Sequence, residues 1–167
     1  MARRDFVDGL VAQWERERPD LAPAPMGVFG RISRIARHIE TALLELDQTH
    51  GLGEGEFDVL AALRRAGAPH TLTPTDLYRS LMLSSGAMTA RLKRLERSGL
   101  IARVSNPADG RSVQVTLTAR GRRVVDALVG PHLEVERECL KALTTDDQRM
   151  LTRLLRTITL ALEEKHA

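Results

Sequence analysis

The chain has 167 residues, which is enough for one domain with an apolar core but not for two independent ones. Its formal net charge is +3, and it contains five aromatic residues and one cysteine. Because Cys139 is the single cysteine, an internal disulfide and a cysteine-rich zinc site are excluded, as is typical of reducing compartments. No apolar run approaches the roughly 18 residues of a membrane helix, and no signal segment follows Arg3 and Arg4. We therefore expect a cytoplasmic protein with no membrane segment.

The charge is unevenly distributed along the chain. Residues 64–123 hold 12 Arg or Lys but only three acidic side chains, Asp76, Glu96 and Asp109, a net charge of +9. The other 107 residues therefore carry −6. A basic middle between acidic ends is typical of a nucleic-acid-binding unit inside a self-associating frame, although an ordinary solvated surface would also be charged.

Three amphipathic helices are predicted before the basic segment. Apolar residues recur at helical spacing from Phe6 to Trp14, from Val28 to Leu46 and from Glu54 to Ala66. The three prolines within residues 19–25 predict an extended connector between the first two helices. Gly51 is the expected stop of the second helix.

Two short helices separated by a tight turn are predicted next. Thr73 provides an N-cap hydroxyl and Pro74 suits the first helical position. Ser84 and Ser85 offer a second N-cap for a helix over residues 86–97. Since the second helix is the more basic one, the pair is typical of a helix-turn-helix.

The segment that follows predicts a β-hairpin. Residues 100–105 and 112–117 alternate in the manner of strands, and residues 106–111 between them are dense in turn formers. A hairpin directly after a helix-turn-helix is a wing, and Arg111 is expected at its exposed tip. The predicted fold is therefore mainly α with a small β-hairpin wing.

Two further helices are predicted after the wing. Thr118 can cap the first of them, and Gly130-Pro131 predicts a kink or break within it. Thr144 or Thr145 can cap the last helix, whose apolar residues between positions 150 and 162 are expected to face inward.

The helix-turn-helix and wing carry the residue types that DNA recognition needs. A recognition helix needs small polar residues at its exposed start, to enter the major groove, and positive charge nearby for the phosphates. The predicted DNA-binding residues are Ser84, Ser85, Gly86, Thr89, Lys93, Arg94, Arg97 and, on the wing, Arg111. Each of them singly is also explained as a helix cap or solvated surface, but the order of helix, turn, basic helix and hairpin favours binding to double-stranded DNA.

Several motifs resemble the MarR family of bacterial winged-helix regulators. They are Leu77, the Ser84–Thr89 segment, Arg94–Glu96, Gly99–Ile101 and Leu117–Gly121. The resemblance implies a homodimer that binds a pseudo-palindromic operator through two recognition helices about one DNA turn apart. It also implies a single MarR-type domain over 1–167, with a winged helix-turn-helix lobe at 54–122 and a dimerisation region at 1–50 and 123–167. Many relatives have arginine where this chain has Gly110, which leaves Arg111 as the principal wing-tip contact.

The N-terminal segment resembles the urate-responsive PecS/HucR subgroup of that family. The similar stretches are Asp5–Asp8, Gln13–Trp14 and Glu17–Leu21. The resemblance implies a ligand-binding site made of Trp14, Asp58, Arg91 and Arg103. It further implies a repressor that a small planar organic anion such as urate releases from DNA, with no cofactor and no metal.

The chemistry of these four residues is consistent with such a ligand. Arg91 lies near the inward edge of its helix, where a half-buried guanidinium needs an acidic partner such as Asp58. A planar anion can stack on Trp14 and accept hydrogen bonds from Arg103 or Arg91. Ordinary structural roles compete: Trp14 as a core or interface aromatic, and Asp58–Arg91 as a salt bridge.

Three other functions compete with the ligand-responsive regulator. A redox sensor would use Cys139, but its place on an apolar stripe predicts a buried, inert thiol. An enzyme would draw on His70 with Asp76, or on the glutamates of residues 134–138, and none of these has the spacing of a catalytic or metal site. A winged helix used only for protein contacts would need an acidic partner protein of similar extent to match the +9 segment. We expect no enzymatic activity.

Overall fold

The computed structural model describes residues 3–81, 85–106 and 109–165, and for Ser85, residues 105–106 and residues 109–112 it describes the backbone alone. Seven helices and three strands lie within these ranges. In chain order they are α1 (Phe6–Glu17), α2 (Ala24–Gln48), α3 (Glu56–Arg65), β1 (Thr71–Leu72), α4 (Pro74–Ser80), α5 (Ser85–Arg97), β2 (Ile101–Asn106), β3 (Asp109–Leu117), α6 (Ala119–Leu140) and α7 (Thr145–Glu163). In the ranges just given, no helix is long and apolar enough to cross a membrane.

Side-chain caps begin several of these helices. Thr73 accepts a hydrogen bond from the Asp76 backbone N–H, and the Asp76 carboxylate accepts one from the Thr73 N–H. The same reciprocal arrangement joins Thr144 to Asp147 at the start of α7. The predicted caps at Thr73 and Thr118 are confirmed, and Thr144 is the cap of α7.

The wing is a three-stranded antiparallel sheet in the order β1-β3-β2. The predicted hairpin of β2 and β3 is present, with Ile101 opposite Leu117. The strands extend further into residues 106–111 than predicted, because Asn106 already pairs with Asp109 and β3 includes residues 109–111. The sequence pattern also missed β1, whose Thr71 hydroxyl lies 2.9 Å from the Thr116 hydroxyl on β3.

The sequence predicts a kink or a break at Gly130-Pro131; helix α6 runs through this point, so it is not broken there. Proline removes one helical hydrogen bond, and this cost is usually enough to end a helix. Here Leu128 and His132, one turn apart across the proline, are both buried. Their burial on the same side stabilises a continuous helix.

The hydrophobic core lies in the middle of the chain, between α3, α4, α5, the wing and the first half of α6. Its largest fully buried side chains are Leu60, Leu63, Leu77, Leu95, Leu128, Val59, Val115 and Val125. The core therefore fixes the helix-turn-helix and the wing as one packed lobe.

The C-terminal helix buries none of its residues in the single chain. Its predicted inner face is solvent-exposed, with Leu154 at 54% and Leu162 at 50% exposure. Cys139, near the end of α6, is exposed as well, so the prediction of a buried thiol is wrong for the isolated chain. Among the residues that the structure describes, neither Cys139 nor the apolar side of α7 is covered by another part of the chain.

Gly121 lies where the start of α6 passes close to the backbone just before β2. A Cβ atom at this position would lie 2.0 Å from the Leu100 carbonyl oxygen. The Thr118 hydroxyl lies 2.9 Å from the Gly99 carbonyl oxygen and 3.0 Å from that of Leu100, and it accepts a hydrogen bond from the Gly121 N–H. Because a backbone carbonyl cannot move aside as a side chain can, only glycine fits here.

We expect Gly121→Ala to destabilise the fold by about 2–4 kcal/mol through overpacking against this carbonyl. Gly9→Ala on α1 is the control, because apart from its chain neighbours nothing lies within 4 Å of its added methyl group. The control should stabilise α1 by about 0.5–1 kcal/mol. Chemical denaturation of both variants measures the difference, and equal midpoints would contradict the steric account.

Candidate DNA interface and effector cavity

Helix α5 presents one apolar and one polar face, as the recognition helix of a helix-turn-helix must. Its apolar face consists of Met88, Leu92 and Leu95, each at most 2% exposed. Gly86, Thr89, Lys93 and Arg97 are exposed on the other side at three- and four-residue spacing. The Arg97 Nε donates to the Lys93 carbonyl oxygen over 3.3 Å, which keeps this arginine along the helix.

Of the remaining predicted DNA-binding residues, the structure describes the side chain of Arg94 alone. Ser85 is the first residue of α5 and Arg111 lies on β3, in both cases described by the backbone alone. Ser84 lies outside the described residues. Arg94 differs from the others, because its Nε donates over 2.6 Å to Oε1 of Glu56, at the start of α3.

Arg91 also points toward the turn before α3. Its guanidinium carbon lies where a Cβ atom of Gly55 would be, 2.2 Å from that ideal position. Gly55 has a φ of +66°, in the left-handed region that glycine favours. The predicted Asp58–Arg91 ion pair is not formed, and within the described ranges Arg91 has no ion pair at all. Its half-buried charge is instead packed over a glycine.

Arg103 joins the wing to the recognition helix. Its Nε lies 3.3 Å from Oε2 of Glu96 on α5. Nε and Nη2 of Arg103 are buried, and neither has a hydrogen-bond partner among the residues that the structure describes. Arg103 therefore carries donors at the α5–β2 contact that a further acceptor could use.

A cavity of about 620 Å³ lies between the recognition helix and the long helices α2 and α6. Its lining residues are Arg37, Glu40, Thr41, Leu43, Leu44, Asp47, Glu54, Gly55, Asp58, Leu81, Arg91 and His132. This volume is within the range of small-molecule sites. The structure thus brings Asp58 and Arg91 of the predicted ligand site to one cavity.

The other two predicted ligand residues do not line this cavity in the single chain. Trp14 is 46% exposed on α1, and Arg103 lies at the contact with Glu96. A larger groove of about 860 Å³ lies between α1 and α2, with Arg31 on its wall, and it includes none of the four predicted ligand residues. Arg31 is itself held by ion pairs to Asp5 and Asp8.

The cavity contains a buried polar pair that the sequence pattern did not reveal. His132 Nε2 on α6 lies 2.7 Å from Oδ1 of Asp47 on α2, and both residues are less than 8% exposed. The His132 ring stacks on Phe57 with 3.5 Å between ring centroids. Burial raises the pKa of the Asp47 carboxyl above its usual 3.8, the nearby Asp58 raises it further, and the hydrogen bond to His132 opposes the shift.

The charges around the cavity are mixed in sign. Four carboxyl groups (Glu40, Asp47, Glu54 and Asp58) face two guanidinium groups, those of Arg37 and Arg91. In the described part of the chain, no group of three or more His, Cys, Asp or Glu is arranged to hold a metal ion. The cavity therefore offers both acceptors and cationic donors to an organic molecule.

Comparison with known proteins identifies the family. Residues 50–112 match the sequence profile of the MarR family. The chain is 38% identical to the HTH-type transcriptional regulator PecS of Dickeya dadantii, over 99% of this chain and 97% of that protein. The chain belongs to the MarR family.

Other members of the MarR family support the same assignment. The multiple antibiotic resistance protein MarR of Escherichia coli K12 is 36% identical over 62% of this chain and 70% of its own length. A mutant of E. coli MarR, crystallised with operator DNA, has the same fold with a TM-score of 0.71 at 28% identity, covering 87% of this chain and 96% of that one. The predicted winged helix-turn-helix is confirmed, and the protein is a DNA-binding transcriptional regulator of a non-enzymatic family.

The raised pKa of Asp47 gives this MarR-family chain a testable pH dependence. Between the usual pKa of 3.8 and the raised value, the folded chain binds more protons at Asp47 than the unfolded chain does. The contribution of Asp47 to the free energy of unfolding therefore falls as the pH rises through this interval. Asp47→Asn lacks this titration, so its stability relative to the parent protein should increase as the pH rises above 3.8.

Urea denaturation across a series of pH values measures this difference. Glu40→Gln is the control, because Glu40 lies on the same helix and the same cavity but is exposed. Its stability should stay parallel to that of the parent protein. An Asp47→Asn curve that is also parallel would show that the pKa of this carboxyl is not raised in the folded chain.

Proposed function

We propose that the protein is a homodimeric repressor that a small planar organic anion, such as urate, releases from a pseudo-palindromic operator. One observation carries the proposal: Arg91 belongs to the recognition helix and also lines the cavity that Asp58 borders. A ligand in this cavity can therefore act on the same helix that binds DNA. The proposal includes a cytoplasmic location and no cofactor.

The DNA interface in this proposal is the exposed face of α5 together with the wing. Gly86 and Thr89 are exposed on the first half of the helix, where close approach to base edges is needed. Lys93 and Arg97 follow on the same face and suit phosphate contacts. Ser84, Ser85 and Arg111 remain predicted contacts on the strength of their positions in the sequence.

The dimer in this proposal uses the apolar residues that the single chain leaves uncovered. On α7 they include Met150, Leu151, Leu154, Leu155, Leu160 and Leu162, all at least 37% exposed. A second copy is the expected cover, since an apolar stripe of this length is otherwise an aggregation hazard. Residues 1–50 and 123–167 then form the dimerisation region, and residues 54–122 form the DNA-binding lobe.

The mixed charges of the cavity favour a particular class of effector. A planar heterocycle such as urate has N–H groups that can donate to Asp58 and anionic oxygens that can accept from Arg91. A simple aromatic carboxylate offers acceptors alone and leaves the acidic side of the cavity without a donor. We therefore expect purine-like acids to bind more tightly than benzoate.

The proposed release mechanism depends on the missing ion pair of Arg91. Since its guanidinium packs on Gly55 and is not held by Asp58, an anion in the cavity can draw it away from the Gly55 backbone. A movement of Arg91 would move α5, on which it lies. The ligand then lowers operator affinity by as much as it prefers the conformation with α5 moved over the conformation that binds DNA.

Lys93→Ala tests the assignment of the recognition face. The variant should bind operator DNA about tenfold more weakly, and the slope of log affinity against log salt should fall by about one, as expected for one lost phosphate contact. Arg156→Ala on α7 is the control, because it removes an arginine outside the lobe. Gel-shift titration at several salt concentrations measures both, and sedimentation should give a dimer for each protein. An unchanged affinity and slope for Lys93→Ala would show that the DNA-facing side of α5 is misassigned.

Asp58→Asn tests the effector cavity. On operator complexes, the urate concentration that releases half of the DNA should rise at least about tenfold, because a charge-assisted hydrogen bond to the ligand is lost. Operator affinity without urate should change little. Asp146→Asn, an exposed carboxylate on α7, is the control, and benzoate is the comparison ligand.

Fluorescence tests the place of Trp14 in the same experiment. Trp14 is the single tryptophan, so its emission reports on its own surroundings. We expect urate to quench it over the concentration range that releases DNA. Release without any change in emission would place the ligand away from Trp14, whereas unchanged release by Asp58→Asn would rule out the cavity.

A further inference from the structure

A buried carboxylate at the start of α3 lies directly behind the recognition helix. Glu56 is 4% exposed. Its Oε2 accepts a hydrogen bond of 2.8 Å from the Gly53 N–H, and its Oε1 accepts one of 2.6 Å from Nε of Arg94. Both oxygens of this carboxylate are therefore used, one by the turn before α3 and one by the recognition helix.

The same turn contacts the recognition helix at a second point. Gly55 provides the space in which the guanidinium of Arg91 lies. Arg91 and Arg94 are three residues apart and so lie on neighbouring turns of one helix face. The Gly53–Glu56 turn thus contacts α5 at two arginines, through an ion pair with Arg94 and through packing of Arg91 on Gly55.

A charged carboxylate that is buried is costly in free energy unless a cationic partner compensates for its lost solvation. Without Arg94, the Glu56 charge would remain in a poorly solvated place with only one hydrogen bond, and α5 or the turn would have to move to admit water. The ion pair is therefore suited to fix the orientation of α5. An arginine used in this way is a poor candidate for a phosphate contact of its own.

We propose that Glu56 is a positioning residue for DNA binding and that Arg94 acts on operator affinity through Glu56, without contacting a phosphate. The proposal concerns DNA binding alone and does not depend on any effector. It gives Arg94 a different role from the phosphate contact that the sequence pattern indicated. It adds Glu56, which that pattern did not single out, to the residues on which recognition depends.

The two roles of Arg94 predict opposite effects of Glu56→Gln. If Glu56 positions α5, the variant loses the charge-assisted bond and operator affinity falls about tenfold, with an unchanged salt slope. If Arg94 contacts a phosphate and Glu56 only competes for it, the variant frees the guanidinium. Affinity then rises and the slope becomes steeper, and this result would overturn the proposal.

A double-mutant cycle completes the test. Operator affinity is measured by fluorescence anisotropy of labelled DNA at several salt concentrations for the parent, Glu56→Gln, Arg94→Gln and the double variant. We expect the double variant to bind no more weakly than the weaker single variant, because both remove one interaction. Additive losses, or a slope reduced by about one in Arg94→Gln, would instead show an independent phosphate contact.

The Arg64–Asp126 ion pair provides a control that starts from the same helix, α3. Its Nε–Oδ1 distance is 2.7 Å, and it joins α3 to α6 without involving α5. Arg64→Gln and Asp126→Asn should leave operator affinity unchanged, which separates positioning of α5 from a general loss of stability. If Glu56→Gln does not fold, Glu56→Asp replaces it, because it keeps the charge but withdraws the carboxylate by one methylene, and the same loss of affinity at constant slope is expected.

Discussion

The packing of α5 against α3 is the contact on which the DNA-binding lobe depends. Met88, Leu92 and Leu95 insert into a cluster that includes Leu60 and Leu63, and all five are at most 2% exposed. A short helix with only three apolar contacts can still slide or rotate on such a surface, because apolar contacts are not directional. The ion pair between Glu56 and Arg94 supplies the direction that the apolar contacts lack, and Arg91 packs on Gly55 beside it.

The candidate effector cavity lies next to these polar contacts. The turn that holds α5 also forms part of the cavity wall, through Glu54 and Gly55. Arg91 reaches the same wall from α5, and Asp58 faces it from α3. A ligand in this cavity contacts the polar side chains between the recognition helix and the turn before α3, and it does not contact the apolar core. It can therefore move the helix without unfolding the lobe.

Local signals in the sequence were sufficient for most of the fold. Caps at Thr73 and Thr118 depend on neighbours within three residues, and the structure confirms both. Strand β1 was missed because its two residues pair with β3, whose Thr116 lies 45 positions from Thr71. The continuation of α6 through Pro131 was missed for a similar reason, since it depends on burial of His132 against Asp47 from α2.

The candidate site was less predictable, because charged residues do not show their partners in a sequence pattern. Glu56 looks like an ordinary acid in the first turn of a helix, where such residues are favoured by the helix dipole. Only the fold shows that it is buried and bound to Arg94, 38 residues away. The expected partner of Arg91 was Asp58, yet a glycine with a positive φ accommodates the guanidinium. Sequence spacing can place two charges on facing helices, but it does not determine which of several nearby groups each will contact.

The proposed movement of α5 by a ligand also requires that the opposite wall of the cavity stays in place, and the uncovered apolar face of α7 bears on this. If a second copy covers this face, we expect it to restrain α2 and the second half of α6 as a frame, so that the cavity has one wall in this frame and one wall in the DNA-binding lobe. A ligand that draws Arg91 inward can move α5 relative to the frame only because the frame itself does not follow. The buried Asp47–His132 pair, which joins α2 to α6 at the cavity wall, strengthens the rigid side. The cavity therefore lies between the proposed dimerisation region and the DNA-binding lobe.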